Sequence, residues 1–411
     1  MLHKPHLLLV THVAPFPGHA GQQQRVRYTL RALRDVFSVT ALTFAAPDRM
    51  DDVRQQWMHH VDGLILLPSK TQRSIVHRLY YKAVGRVFSK RTGLKASNYI
   101  LGEVEFSPAR IAAALDPTAF DVVLFEYWHA HRASRIFTDN HVPTVLDMHD
   151  VLWQSLRRQL STAGARDVDS RVQRYKMREE AAWRDFTALI AINAGEAEYT
   201  RPRVDGTPVF LAQMGTDLSL WPKTYNPAVP HRIGFWGSLS SDVNRRSASQ
   251  VARRIMPLIW QRYPDCECWI VGANPPDELS ALTVDPRIHV TGFVEHPAEL
   301  LGTMRAVLCP WEGTYGFRSR LVEVMACGVP VVASPDAVYG MGLRQDHGLL
   351  LGDTDADLAR GALRLMDNDS FAEEQSVRAR AQVEDGYSFE STYGGLARDL
   401  LTLLQRSDTA A

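Results

Sequence analysis

Pro310-Trp-Glu-Gly-Thr-Tyr-Gly-Phe-Arg-Ser-Arg-Leu-Val-Glu-Val-Met-Ala-Cys-Gly-Val-Pro-Val-Val-Ala-Ser334 carries the plainest architectural signal in the chain. An apolar run over 306–310 ends at Pro310, a glycine-containing loop follows, and a helical pattern starts near Ser319. Gly328-Val-Pro330 then turns into a second apolar run over 329–333. Continuous apolar strands joined through a helix belong to a parallel sheet covered on both faces. Ser319 is an N-cap residue type and Gly328 a C-cap type. Free amides at that helix start, with Arg318 and Arg320, suit a diphosphate. Glu323 lies one turn inside, where a carboxylate can accept hydrogen bonds from both hydroxyls of a ribose. The plainer reading is a capped helix with a solvated glutamate.

The same alternation runs outward in both directions. Strands are expected at 7–11, 38–43, 63–67, 122–125, 144–147 and 189–193, and again at 232–236, 268–271, 288–291, 306–310 and 329–333. Helices are expected at 23–35, 169–185, 244–262, 297–304, 319–327 and 355–368, with a terminal helix near 390–405. The pattern occurs twice and is interrupted near 218–230, where Pro222, Pro227 and Pro230 mark a linker. The expected fold is therefore α/β, with two Rossmann-like, doubly wound parallel-sheet domains. They span 1–217 and 231–388, and a helix over 389–411 can cross back to the first. Two such domains facing each other create an interdomain cleft, with ligands at the carboxyl ends of the strands.

Composition narrows the function classes. Lys+Arg and Asp+Glu balance at 46 each in 411 residues, which argues against a generic nucleic-acid binder. Cys266, Cys268, Cys309 and Cys327 lack zinc spacing and read as small core residues of a reducing compartment. The apolar stretch 7–10 is too short for a signal or spanning segment, so a cytoplasmic location is expected. Local charge is less even. Lys70, Arg73, Arg78, Lys82, Arg86, Lys90, Arg91 and Lys95 occur with no acid between Asp62 and Glu103, interleaved with Ile75, Leu79, Tyr80, Val84, Val87 and Phe88. Residues 70–95 thus read either as a basic amphipathic element for the inner face of an anionic membrane or as a solvated helix face packed on the core. Nucleic acid is not expected there, since no recognition motif accompanies the charge.

The 310–334 segment resembles the donor-site signature of family 4 GT-B glycosyltransferases, in which two glutamates eight positions apart precede Met-Ala-x-Gly-x-Pro-Val-Val-Ala. Glu323 matches the second glutamate and Met325 to Ala333 matches the tail. The resemblance implies that Glu323 holds the donor ribose, and that Gly316, Phe317, Arg318 and Ser319 surround the diphosphate and sugar. Tyr315 stands where the first glutamate falls, a position that normally contacts the transferred sugar. Subfamilies of exopolysaccharide assembly lack that glutamate and keep a basic residue three before the second, as Arg320 does here.

Weaker matches follow in the family's order. Ile233-Gly-Phe-Trp-Gly-Ser-Leu239 resembles the strand and glycine turn, at Gly237, that open the donor domain. Asn244-Arg245-Arg246 stands where the family places a basic residue for the donor phosphates; two arginines at a helix start otherwise oppose the helix dipole. Trp269-Ile-Val-Gly272 and Val290-Thr-Gly-Phe-Val294 resemble the next two strand ends, with Val294 near the base. Pro15-Phe-Pro-Gly-His-Ala-Gly21, with Arg25 downstream, resembles the glycine loop that approaches donor and acceptor. His129, His149 and Asp150 end two strand patterns and are candidates for contacting the acceptor or reacting sugar. Gln213-Met-Gly-Thr-Asp217 resembles the family's interdomain element.

The resemblance implies that 1–217 is the acceptor domain and 231–388 the nucleotide-sugar donor domain. It implies retaining hexosyl transfer from a UDP- or GDP-type sugar to a lipid-linked or small-molecule hydroxyl. Arg320, Arg245 and Arg246 would stabilise the departing diphosphate, so no metal and no cofactor is expected. A non-catalytic nucleotide-sugar-binding protein and a sugar-nucleotide 2-epimerase of the same architecture are alternatives. A Rossmann dehydrogenase is disfavoured, because no Gly-x-Gly-x-x-Gly follows the first strand.

Overall fold

The structure, a computed structural model, describes residues 4–16, 21–229, 231–313 and 317–410. It divides into two compact units, Met1–Ala212 with Tyr393–Ala411, and Gln213–Thr392.

The first unit holds seven strands: β1 (His6–Val10), β2 (Ser38–Ala45), β3 (Gly63–Pro68), β4 (Val122–Glu126), β5 (Thr144–Asp147), β6 (Ala188–Ala191) and β7 (Val209–Leu211). The second holds six: β8 (Arg232–Trp236), β9 (Glu267–Val271), β10 (Ile288–Val290), β11 (Ala306–Cys309), β12 (Val331–Ala333) and β13 (Leu349–Leu351). The orders are β3-β2-β1-β4-β5-β6-β7 and β10-β9-β8-β11-β12-β13. Every strand pairing is parallel. The apolar runs explain this arrangement: Leu7, Leu8, Leu9, Val122, Val123, Val307, Leu308, Val331 and Val332 are all fully buried, so helices must cover both faces of each sheet. Each order reverses direction beside its first strand, between β1 and β4 and between β8 and β11. A doubly wound sheet binds ligands at such a switch point, outside the carboxyl ends.

Seven helices matter below: α1 (Gly21–Arg34), α2 (Ile75–Thr92), α3 (Asp242–Gln250), α4 (Ser319–Ala326), α5 (Asp355–Asp367), α6 (Asp369–Gly386) and α7 (Phe389–Ala410). The expected helix over 244–262 is in fact three pieces. α3 begins two residues earlier, at Asp242, and gives way to a wide turn over Val251–Ile255 before a last helical turn, Met256–Trp260. Pro257 lacks the amide that would close onto Arg253, which breaks the regular ladder there. Ser319 is also not the N-cap of α4. Arg318 holds that position, and no side chain caps the helix. Gly328 closes it with φ 78°, a conformation that glycine adopts without strain.

The four cysteines are buried and unpaired. Among the described residues no helix is long and apolar enough to cross a membrane.

Candidate functional site

The switch point of the first unit is polar and largely buried. Asp147, the last residue of β5, receives a forked pair of bonds from Arg25 of α1: Nε donates at 2.8 Å to Oδ2 and Nη2 at 2.8 Å to Oδ1. Arg25 Nη1 also donates to the Ala212 carbonyl at 2.9 Å. Both side chains are essentially inaccessible, at 1% and 0%. Burial alone would raise the Asp147 carboxyl; the adjoining guanidinium overrides it and holds the group below the ordinary carboxylate value. Beside this pair, Glu126 at the end of β4 bonds to His149 Nε2. Burial pushes the Glu126 carboxyl up, with the charge of Asp147 adding to the effect. Glu126 Oε1 is buried and without a hydrogen-bond partner among the described residues.

Above this floor lie aromatic and imidazole rings. Tyr127 stacks on His149 with centroids 4.0 Å apart, and His12 lies 5.3 Å from Tyr127 and 5.9 Å from His129. Tyr127 (φ 68°) and His149 (φ 58°) both occupy the left-handed region. Side chains other than glycine hold it only where the surroundings enforce it, and such positions cluster at functional sites. Here the Asp147 carboxylate accepts from the His149 amide at 3.2 Å.

Of the residues expected from sequence, His129 and His149 meet at this point, and Asp150 follows directly. His12, Glu126, Tyr127 and Asp147 had not been singled out; what marks them is their place at or next to strand ends. Glu126, Asp147 and His149 are also spaced to hold a cation. The Arg25 guanidinium already supplies that positive charge to Asp147.

Burial lowers His12 to about 4, helped by His149, and lowers His129 to about 3, helped by His12. Both rings are neutral at pH 7. A folded pKa below the unfolded value means that the unfolded chain binds the extra proton. Stability from this source is therefore complete above about pH 6.5 and falls as pH drops toward the folded values. Each histidine is expected to cost roughly 2 kcal/mol by pH 5. Denaturant midpoints at pH 7.5 and pH 5 check this: the loss should shrink by about half or more in the His12→Gln/His129→Gln protein. An undiminished loss would show that these rings are not what acid titrates.

The second switch point is built on the carboxyl ends of β8 and β11. Glu323 of α4 is buried at 1% and collects two donors on one oxygen: Trp236 Nε1 at 2.8 Å and Arg320 Nη1 at 2.7 Å, both to Oε2. Among the described residues nothing donates to its Oε1. The Arg320 guanidinium also lies 4.9 Å from the centroid of the Trp236 ring. Glu323 is thus not the solvated glutamate of the plainer reading. Arg320 enters the site already ion-paired.

A second cluster fixes the loop after β11. Trp311 Nε1 donates to Asn244 Oδ1 at 3.1 Å, Ser334 Oγ to the Trp311 carbonyl at 2.5 Å, and the Gly313 amide to Asp336 at 2.7 Å. Asn244 in turn donates to the Ser238 carbonyl at 2.9 Å. A Cβ on Gly237 would sit 2.9 Å from the Asn244 amide, and one on Gly272 only 1.9 Å from the Gly237 carbonyl. The turn at Gly272, which faces backbone, therefore needs glycine, whereas at Gly237 the crowding comes from the Asn244 side chain alone. Arg318 donates to the Gly313 carbonyl at 3.2 Å, and Phe317 packs partly buried on the unit's core, as does Val294. Gly21 is the first residue of α1. Tyr315 and Gly316 lie outside the described residues.

Arg245 and Arg246 differ from expectation. Asp242, in the first turn of α3, pairs with Arg245 at 3.3 Å and Arg246 at 3.0 Å. Their opposition to the helix dipole is offset by this acid, and that opposition had been part of the case for an anion there. They line a cavity of about 640 Å³ with Arg253, Pro310 and Glu312; neither Glu323 nor Arg320 lines it.

Residues 230–368 match the family model described as Glycosyl transferases group 1. No curated protein matches the sequence. Among solved structures, sucrose-phosphate synthase from Thermosynechococcus elongatus aligns with a TM-score of 0.68 at 16% identity, over 99% of this chain and 100% of that one. TarM aligns with a TM-score of 0.69 at 11% identity, over 98% and 99%. Anabaena HepE, solved in complex with UDP and glucose, gives 0.60 at 14% identity, over 96% and 99%. At these identities the likeness is one of fold, the GT-B arrangement of two parallel-sheet α/β domains.

Proposed function

We propose that this chain is a glycosyltransferase that moves a hexose from a UDP- or GDP-type donor to an acceptor hydroxyl, with retention, in polysaccharide or glycolipid assembly; the match of residues 230–368 to the glycosyl transferases group 1 model and the GT-B fold support this reading. One observation carries the reading: a buried carboxylate, Glu323, at the carboxyl ends of β8 and β11 has one oxygen committed to Trp236 and Arg320 and the other without a donor among the described residues. A ribose hydroxyl is a natural donor to that second oxygen. The UDP bound to HepE supports a uridine nucleotide as the first donor to test.

In this reading the second unit holds the donor. Arg320 lies three residues from Glu323, where it serves the diphosphate as charge builds on the leaving oxygen. Arg318 and the amides at the start of α4 add to it. No divalent metal is needed for that charge. The leaving phosphate takes the acceptor proton, so a strong protein base is not required. His129, His149 and Asp150 of the first unit contact the reacting sugar or the acceptor. A neutral His129, with Nδ1 buried and unpartnered among the described residues, offers a ring nitrogen to a sugar hydroxyl. The acceptor is a lipid-linked or small-molecule alcohol at the cytoplasmic side.

The test is product analysis. Purified protein, an α-linked UDP- or GDP-hexose and a lipid-diphosphate acceptor should give an α-linked product by the coupling of its anomeric proton. A β-linked product would contradict retention. Isomerised or merely hydrolysed donor, with no transfer to any acceptor, would contradict the transferase reading itself.

A further inference from the structure

Helix α2 is built unlike a helix that exists to cover a sheet. Ser74 caps it, accepting from the His77 amide at 3.3 Å, and Gly93 ends it in the left-handed region. Its 18 residues span about 27 Å. Only Gly85 is fully buried. The side toward the protein is formed by His77, Tyr81, Val84, Phe88 and Thr92, all half-buried, and Phe88 packs on the core of the first unit. At 100° per residue these five positions share one side of the helix.

The opposite side should then be polar throughout, yet much of it is apolar. Ile75 is 73% exposed, Val76 74%, Leu79 61%, Tyr80 60% and Val87 50%. By the same rotation they form one stripe facing away from the core. Arg78, Lys82, Arg86 and Lys90 form a ladder at steps of four residues that starts on one flank of the stripe, at Arg78 and Lys82, and crosses into it beside Leu79, at Arg86 and Lys90; Arg91 lies at the other edge. None of these five cations, nor Arg73 just before the helix, has an ion-pair partner among the described residues, and no acid occurs between Asp62 and Glu103. Like charges four residues apart on a helix repel one another. Solvent-facing apolar stripes are equally unfavourable in water. A single surroundings reverses both terms: an interface with hydrocarbon below and anionic headgroups at its level.

We propose that α2 is a membrane-docking helix. It lies in the plane of an anionic bilayer, with Ile75, Val76, Leu79, Tyr80 and Val87 in the acyl boundary and the ladder on lipid phosphates. A soluble polyanion would engage the ladder and leave the apolar stripe in water, so the bilayer fits better. This deepens the lipid-linked acceptor reading, yet docking needs no donor and is measured without one, so either can fail alone.

Flotation of the full-length protein with phosphatidylcholine vesicles, with and without phosphatidylglycerol, tests it. The protein should float with the anionic vesicles and stay behind with neutral ones. Binding should fall about tenfold or more in Leu79→Ser/Val87→Ser and in Arg86→Gln/Lys90→Gln. Because these side chains point away from the core, unchanged melting temperatures should show that both variants fold. The proposal is overturned by no flotation with anionic vesicles, by equal flotation with neutral ones, or by undiminished binding of the serine variant. That last result, with heparin as competitor, would make the surface a site for soluble polyanions.

Discussion

Arg25→Met is expected to destabilise the first unit by about 3–5 kcal/mol, because it leaves Asp147 charged, buried and unpaired. At roughly 2–4 °C per kcal/mol for a unit of this size, the melting temperature should fall by about 10 °C. The pair is fully buried and forked, and Arg25 also holds the Ala212 carbonyl. Asp147→Asn should cost a similar amount by stranding the guanidinium. The double variant should recover part of the loss, since a buried pair removed together leaves no uncompensated charge. Thermal scans of the four proteins decide the matter. Single variants that melt within a degree or two of the parent would mean that the pair is not the anchor of this switch point.

Glu323→Gln is the second large effect, and it acts on ligand binding. The amide keeps an oxygen for Trp236 Nε1, so most of the local packing should survive. It loses the negative charge facing Arg320 and the strong acceptor left on Oε1. A hydrogen bond to a charged acceptor contributes about 1.5–3 kcal/mol, so nucleotide affinity should fall roughly 10- to 150-fold. Isothermal titration of parent and variant with the same nucleotide reads this directly. Equal affinity in both would reduce Glu323 to a structural anchor for Trp236.

Much of this was legible in the residues, for reasons specific to each element. Strands such as β5 and β8 are unbroken apolar runs between turn residues, and their limits were read to the residue. β7 and β13 escape because each is a three-residue edge strand that ends on an exposed leucine, Leu211 or Leu351, and so lacks the apolar run of a buried strand. α6 escaped for a different reason. Its buried side includes Gln375, Ser376 and Gln382. Gln375 accepts from the Gly348 amide and Gln382 from the Arg344 amide, so polar side chains stand where the pattern of a core-facing helix requires apolar ones. At the site, Glu323 and Arg320 were visible through a motif. Trp236, Trp311 and Asp336 were not, because what they do depends on partners 23 to 87 residues away. The counter-charge on Arg245 and Arg246 was missed because starting α3 at Asn244 left Asp242 outside the helix.

The most direct measurement is equilibrium titration of the purified protein with UDP-, GDP-, ADP- and dTDP-hexoses, alongside Glu323→Gln. Saturable binding of one nucleotide class, weakened at least about tenfold in the variant, is the expected result. No binding of any of the four at millimolar concentration would contradict a donor site at the β8–β11 switch point.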